Sequence, residues 1–186
     1  MDSDAATVAV MDALNAAGVP YMLVGSFASN FYGIPRATQD ADFLVQLEGK
    51  DLSRICTALG PQFRFDPQSS CELVTGTTRY VLELVHSPFR LEFFLLGNDL
   101  HDQQRFRRRK AVRILGQQTF VSTAEDMVIT KLRWLHHAGR AKDLDDVRNV
   151  IALQGPRMDW DYVNLWCGRQ QTRELLDEIR RSLPAD

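Results

Sequence analysis

The sequence predicts an α+β core of roughly 120 residues followed by a packed helical segment. Three observations predict it. Short apolar runs rich in β-formers, bounded by glycine and proline, recur between residues 21 and 96. From Thr123 onward the apolar period becomes helical. The composition, 45% hydrophobic and 25% charged over 186 residues, is that of an ordinary globular chain able to bury a core. The change of period sets the core at 1–121 and the helical segment at 122–186, and no repeat, low-complexity linker or long charge block marks the second part as an independently folding domain.

The elements follow in order. Ala5 to Ala17 is alanine-rich with Val8, Met11 and Leu14 at helical spacing, and Gly18 is its stop. Tyr21-Met22-Leu23-Val24, between Pro20 and Gly25, reads as a buried strand. Ser26 can cap a short helix through Tyr32, closed by Gly33. Ala41 to Leu47 is a second strand, Asp51 to Leu59 a helix, and Arg79 to Val85 and Arg90 to Leu96 are two further strands. Ser122-Thr123-Ala124-Glu125 matches a capping box, and Gly139, Gly155 and Gly168 divide the remainder into about four helices.

The formal net charge of −2 excludes a basic nucleic-acid coat or an acidic tail over the whole chain. The average hides a split: residues 1–104 carry 6 basic and 13 acidic side chains, residues 105–186 carry 16 and 11. Cys56, Cys71 and Cys167 show neither a disulfide framework nor a zinc knuckle, which fits a reducing compartment. The start lacks the pattern of a signal peptide, and no run approaches the ~18 apolar residues of a membrane span. The expectation is a soluble, cytoplasmic protein with no membrane partner.

The most informative stretch runs from Gly25-Ser26 to Asp40-Ala41-Asp42. A helix starting at Gly25-Ser26 directs backbone N–H groups and the positive end of its dipole at the turn, which suits a phosphate. Asp40 and Asp42 are two apart, so on a strand both carboxylates leave the same face. Same-face carboxylates are hard ligands that suit Mg²⁺, and a pair of ions ~4 Å apart would align attacking and leaving oxygens for phosphoryl or nucleotidyl transfer. A third acid is needed. Glu92, alone in the apolar run Leu91 to Leu96, is the first choice because an unpaired charge there is costly; Glu83 is the competitor. The structural reading of a bare D-x-D, a solvated loop end at a sheet edge, competes with this.

Gly25-Ser26 followed by Asp40-x-Asp42 resembles the signature of the DNA polymerase β type nucleotidyltransferase superfamily. The longer string, with Ala28, Gly33, Arg36, Thr38 and Phe43, resembles its AbiEii and MenT toxin branch. That resemblance implies a nucleotidyltransferase-like mixed β-sheet with flanking helices. It also implies transfer from an NTP, including ATP, to an RNA (tRNA included), protein or small-molecule acceptor, and an antitoxin-type protein partner. Gly25, Ser26, Arg36 and Thr38 would border the nucleotide. Asp40, Asp42 and Glu92 would bind two Mg²⁺ ions, with Mn²⁺ as substitute, although Glu92 stands where an aspartate is more usual.

In the helical segment, Lys131 falls near the centre of an apolar stripe containing Met127, Val128, Leu132 and Leu135, with Asp126 on the opposite side. Asp143 lies likewise in a stripe with Leu144, Val147, Val150 and Ile151. An isolated buried charge is expensive, so Lys131 should either snorkel past its neighbours or meet an anion. The structural reading is a Lys131 to Asp143 pair locking two helices. The resemblance instead carries Lys131, as a catalytic and nucleotide-binding residue, and Asp143 to the border of the nucleotide.

Six cations lie between Arg105 and Arg113: Arg105, Arg107, Arg108, Arg109, Lys110 and Arg113. Such a run can grip phosphate. It supports the alternative function, a catalytically inactive nucleotidyltransferase-fold protein that binds RNA or a partner. Against this, Phe106 is its only aromatic, poor for base stacking. His136 and His137 are adjacent and cannot converge on one metal ion, and Trp134, Trp160 and Trp166 read as core or interface anchors. P-loop, dinucleotide-binding and zinc-protease motifs are absent from the sequence.

Overall fold

A computed structural model describes residues 1–183, and the chain divides into two compact units. The first comprises residues 1–27 and 37–122, the second residues 28–36 and 123–186.

The first unit is built on one mixed sheet. Its strands are β1 (Tyr21–Val24), β2 (Asp40–Val45), β3 (Phe63–Cys71), β4 (Thr78–Leu84), β5 (Arg90–Leu95), β6 (Lys110–Ile114) and β7 (Gln117–Val121), in the order β3-β4-β5-β2-β1-β7-β6. β2 runs antiparallel to β1 and parallel to β5, and β7 is parallel to β1. Alternation along the strands divides the faces. Tyr21, Leu23, Ala41, Phe43, Val45, Leu91 and Phe93 point to one side, where helices α1 (Ser3–Ala16) and α3 (Leu52–Thr57) bury Val10, Met11, Leu14, Leu52 and Cys56 with them. The Phe43 ring stacks on Phe93 at 5.5 Å and tilts against Tyr21 at 5.9 Å. On the other side Met22, Val24 and Leu44 pack with Phe106. Phe106 belongs to a helix over Leu100–Arg107, labelled α4 once α2 (Gly25–Tyr32) is counted.

The second unit contains α5 (Ala124–Ala138), α6 (Ala141–Gln154), α7 (Trp160–Arg169) and α8 (Arg173–Ser182), with α5 packed on α6 and α7. Gly139 caps α5 in the left-handed conformation, as a C-terminal glycine should. Two helix ends differ from the sequence reading. The cap of α5 is Thr123, whose hydroxyl accepts from the Asp126 N–H, one position later than the capping box suggested. Gly168 lies inside α7, and the break falls at residues 170–172, where Gln171 takes φ 59°.

Four elements escaped the sequence reading. β3 contains Pro67 and a register irregularity between Asp66 and Ser70, which an edge strand tolerates. α4 is mostly polar, so its period is hidden; its signal was Asp99, whose side chain caps the Asp102 N–H. β6 and β7 form a hairpin whose two-residue turn, Leu115-Gly116, has φ 51° and 78°. Both positive angles suit a type I′ turn, but leucine in place of asparagine conceals it. No helix among the described residues is long and apolar enough to cross a membrane.

Because Leu115 is exposed and adopts a conformation that asparagine tolerates, Leu115→Asn should raise stability by about 0.5–1 kcal/mol in urea unfolding.

Candidate active site

β1 ends at Val24, opposite Asp42 on β2, and the chain turns at Gly25 directly into α2. Gly25 has φ 56°, and a Cβ built on it would lie 1.9 Å from Asp42 Oδ2. Both the backbone angle and the space require glycine. Ser26, the next residue, is buried in the first turn of α2.

The register of β2 and β5 sets the acidic residues. Asp42 stands directly opposite Glu92, and Asp40 opposite Arg90. Strand periodicity puts Asp40, Asp42 and Glu92 on one face, with Asp42 and Glu92 Cα atoms about 4.8 Å apart across the ladder. Glu83 shares this face on β4, but one strand further out; Arg64 of β3 clasps it, with Nε 2.9 Å from Oε2. Glu92 and not Glu83 is therefore the acid beside the pair.

The side chains have local partners. Asp40 Oδ1 accepts from the Thr38 hydroxyl at 2.7 Å, and Glu92 Oε2 lies 3.3 Å from Arg79 Nη1. Among the described residues no three Asp, Glu, His or Cys side chains are gathered tightly enough to hold a metal ion. The donor chemistry nonetheless fits a hard divalent cation: three carboxylates on adjacent strands, one packed against a glycine that leaves no Cβ in the way. Convergence requires Glu92 to turn from β4 toward Asp42.

Beside these acids a cleft of about 690 Å³ is lined by Gln39, Asp40, Arg64, Glu83, Arg90 and Glu92, together with the β4–β5 turn. Its floor carries a cross-strand row of alternating sign, Arg64, Glu83, Arg90 and Asp40, set by the register of four strands.

The second unit holds the other proposed residues. Lys131 Nζ lies 2.9 Å from Asp143 Oδ1 and 2.9 Å from Asp146 Oδ2. Arg140 Nε donates to Asp143 at 2.7 Å, and Arg36 donates to Asp146 through Nε and Nη2, each at 2.8 Å. The helix-locking pair weighed from sequence is thus present, widened to five residues. Asp146 is buried in the network. Burial pushes its carboxyl up, but hydrogen bonds from Arg36 and the charge and hydrogen bond of Lys131 outweigh that and bring it down to about 2. Asp126, expected on the outer side of α5, is fully buried; the hydroxyls of Thr123 and Tyr162 donate to it at 2.7 and 2.6 Å.

The basic run is not one surface. Arg105 is buried and paired with Asp102 at 2.7 Å, and Arg109 stacks on Phe106 and Phe120. Arg107, Lys110 and Arg113 are exposed, one on a helix and two on a strand. His136 and His137 are exposed.

The fold is similar to that of nucleotidyltransferases. The antibiotic-resistance factor ANT(2'')-Ia matches with a TM-score of 0.64 at 14% identity, covering 97% of this chain and 98% of that one. An antigenic nucleotidyltransferase-like protein from Paracoccidioides brasiliensis matches at 0.55 and 17% identity, over 95% and 91%. The lincosamide antibiotic adenylyltransferase LnuA, in a lincomycin-bound structure, matches at 0.53 and 12% identity, over 82% and 98%. No protein-family model and no curated protein sequence matches the chain.

Two measurements test this description. Gly25→Ala should cost at least about 2 kcal/mol in urea unfolding, from left-handed strain plus displacement of Asp42. Asp146, with its pKa lowered, contributes stability that is complete above pH 3.8 and lost as pH falls toward about 2. The stability gap between wild type and Asp146→Asn should therefore shrink over that window in acid titrations of the thermal midpoint.

Proposed function

We propose that the protein is a metal-dependent nucleotidyltransferase that moves a nucleotidyl group from an NTP to a hydroxyl of a small-molecule acceptor. The observation that carries this reading is the opposition of Asp42 and Glu92 on parallel strands, with Asp40 on the same face and Gly25 opened against Asp42. The fold likeness supports it.

In this reading Gly25 and Ser26 receive the triphosphate at the first turn of α2, where backbone N–H groups and the helix dipole favour an anion. Asp40, Asp42 and Glu92 would hold Mg²⁺, or Mn²⁺ in its place. When bound, the ions would offset charge on the phosphates. The acceptor hydroxyl oxygen attacks the α-phosphorus and loses its proton to water, the bond from that phosphorus to the bridging oxygen breaks, and pyrophosphate leaves with the electron pair of that bond. Catalysis comes from positioning and electrostatics. Thr38 holds Asp40 in place by its hydroxyl.

The acceptor side is the cleft bordered by Asp40 and Glu92, which contains neither Gly25 nor Ser26. Its volume is in the range of small-molecule sites, and its alternating charges offer no continuous cationic track for a polyanion. A small acceptor is therefore favoured over RNA or a protein. Adenylyl transfer is named for LnuA, and ANT(2'')-Ia has been captured with adenylyl-2''-tobramycin, which favours ATP as donor here. The motif string resembles the AbiEii and MenT branch, and that resemblance supports an antitoxin-type partner; three cysteines without a disulfide framework support a cytoplasmic setting. Lys131 and Asp143 satisfy each other within the second unit, so the reading rests on the first unit's residues alone.

The test uses four α-labelled NTPs with a pool of hydroxylated small molecules and RNA. Asp42→Ala should abolish Mg²⁺-dependent label transfer with its circular dichroism unchanged. Glu92→Gln should lose at least about 100-fold while Glu83→Gln stays within a few-fold of wild type. Transfer that survives Asp42→Ala overturns the proposal.

A further inference from the structure

Arg79 on β4 belongs to no motif, yet it makes a polar contact to the third carboxylate. Its Nη1 lies 3.3 Å from Glu92 Oε2, and its Nε donates to the Ser70 hydroxyl at 3.1 Å. Ser70 is its cross-strand neighbour on β3, whereas Glu92 on β5 faces Val81, one diagonal step away. The guanidinium thus spans from β3 to β5 with one nitrogen anchored and another on the acid. The Glu92 side chain is 17% exposed and that of Arg79 38%, so the pair is only partly screened by water.

We infer that Arg79 is a positioning residue that occupies Glu92 in place of the metal, so that cation loading is conditional on nucleotide. The inference rests on the nucleotidyltransferase reading. Glu92 stands between two partners on neighbouring strands: Arg79 on one side and the Asp42 carboxylate, with any shared divalent cation, on the other. A carboxylate drawn toward Arg79 is withheld from a cation on the Asp42 side. A cation arriving alone must break the ion pair and then sit near a released guanidinium of like charge, and both effects weaken its binding. A triphosphate arriving with the cation changes the balance. Arginine's planar fork matches phosphate oxygens, so the released guanidinium gains a partner. Metal and nucleotide are then positively coupled through Arg79, and the coupling is reciprocal.

Titration of the full chain with Mn²⁺, followed by electron paramagnetic resonance and calorimetry, tests this with and without a non-hydrolysable α,β-methylene ATP analogue. Arg79→Ala, or Arg79→Gln if the alanine variant folds poorly, should bind Mn²⁺ alone about tenfold more tightly than wild type. It should also lose most of the nucleotide-induced gain in Mn²⁺ affinity. Arg79→Lys keeps the charge and should remain within a few-fold of wild type for Mn²⁺ alone. A merely structural arginine predicts the opposite sign: unchanged or weaker Mn²⁺ binding in Arg79→Ala overturns the inference. Asp42→Asn separates the two levels. If it removes Mn²⁺ binding while Arg79→Ala fails to tighten it, only the role of Arg79 falls. If Asp42→Asn binds Mn²⁺ as wild type does, the metal-dependent reading fails and takes the inference with it.

Discussion

The approach of the Asp42 carboxylate to the backbone of Gly25 is the constraint on which the first unit's site depends. A side chain at position 25 would occupy the space of Asp42 Oδ2, and the turn from β1 into α2 needs a positive φ at that residue. With both conditions met by glycine, the helix can begin on the residue that follows the strand's last. The antiparallel register that sets Val24 opposite Asp42 then aims the start of α2 at the acidic face, and the parallel register with β5 adds Glu92. A one-residue slip in either ladder would turn the carboxylates into the aromatic layer of Tyr21, Phe43 and Phe93, where their desolvation would be prohibitive.

Charge is handled differently in the two units. On the sheet face acids and arginines alternate and remain partly accessible, so each can exchange its partner. In the second unit three cations converge on Asp143 and Asp146, which are buried. Pairs of that kind fix geometry, because removing one member leaves an uncompensated charge away from water. The basic surplus of residues 105–186 is thus partly consumed internally: Arg105 by Asp102, Lys131 and Arg140 by the two aspartates of α6, and Arg173 by Asp177.

Legibility in the sequence followed burial and period. Strands β1, β2, β4 and β5 were readable because apolar runs between glycine and proline must be buried somewhere. β3, α4 and the β6–β7 hairpin were not. β3 is mostly exposed and interrupted by Pro67, α4 has a single deeply buried aromatic, and the hairpin turn uses leucine at a positive φ. Projection on a helical wheel placed Asp126 outside because it ranks residues by polarity, while the Thr123 and Tyr162 hydroxyls make a polar pocket that a wheel does not contain.

The sequence alone determined the spacing chemistry. Two acids at positions i and i+2 must share a strand face, a glycine must stand where helix follows strand without a gap, and an acid in an apolar run must find a partner. Those are local rules, independent of what lies across the sheet. Only the tertiary structure decided the partners. Glu83 and Glu92 each stand as a lone acid in an apolar run; the run around Glu92 favours it, but the sequence does not exclude Glu83. Strand order does: β5 lies beside β2, whereas β4 lies one strand further out and hands Glu83 to Arg64. Likewise the period of α5 left Lys131 to snorkel or to meet an anion, and the two aspartates and two arginines gathered with it come from residues 36 to 146, whose proximity is a property of packing.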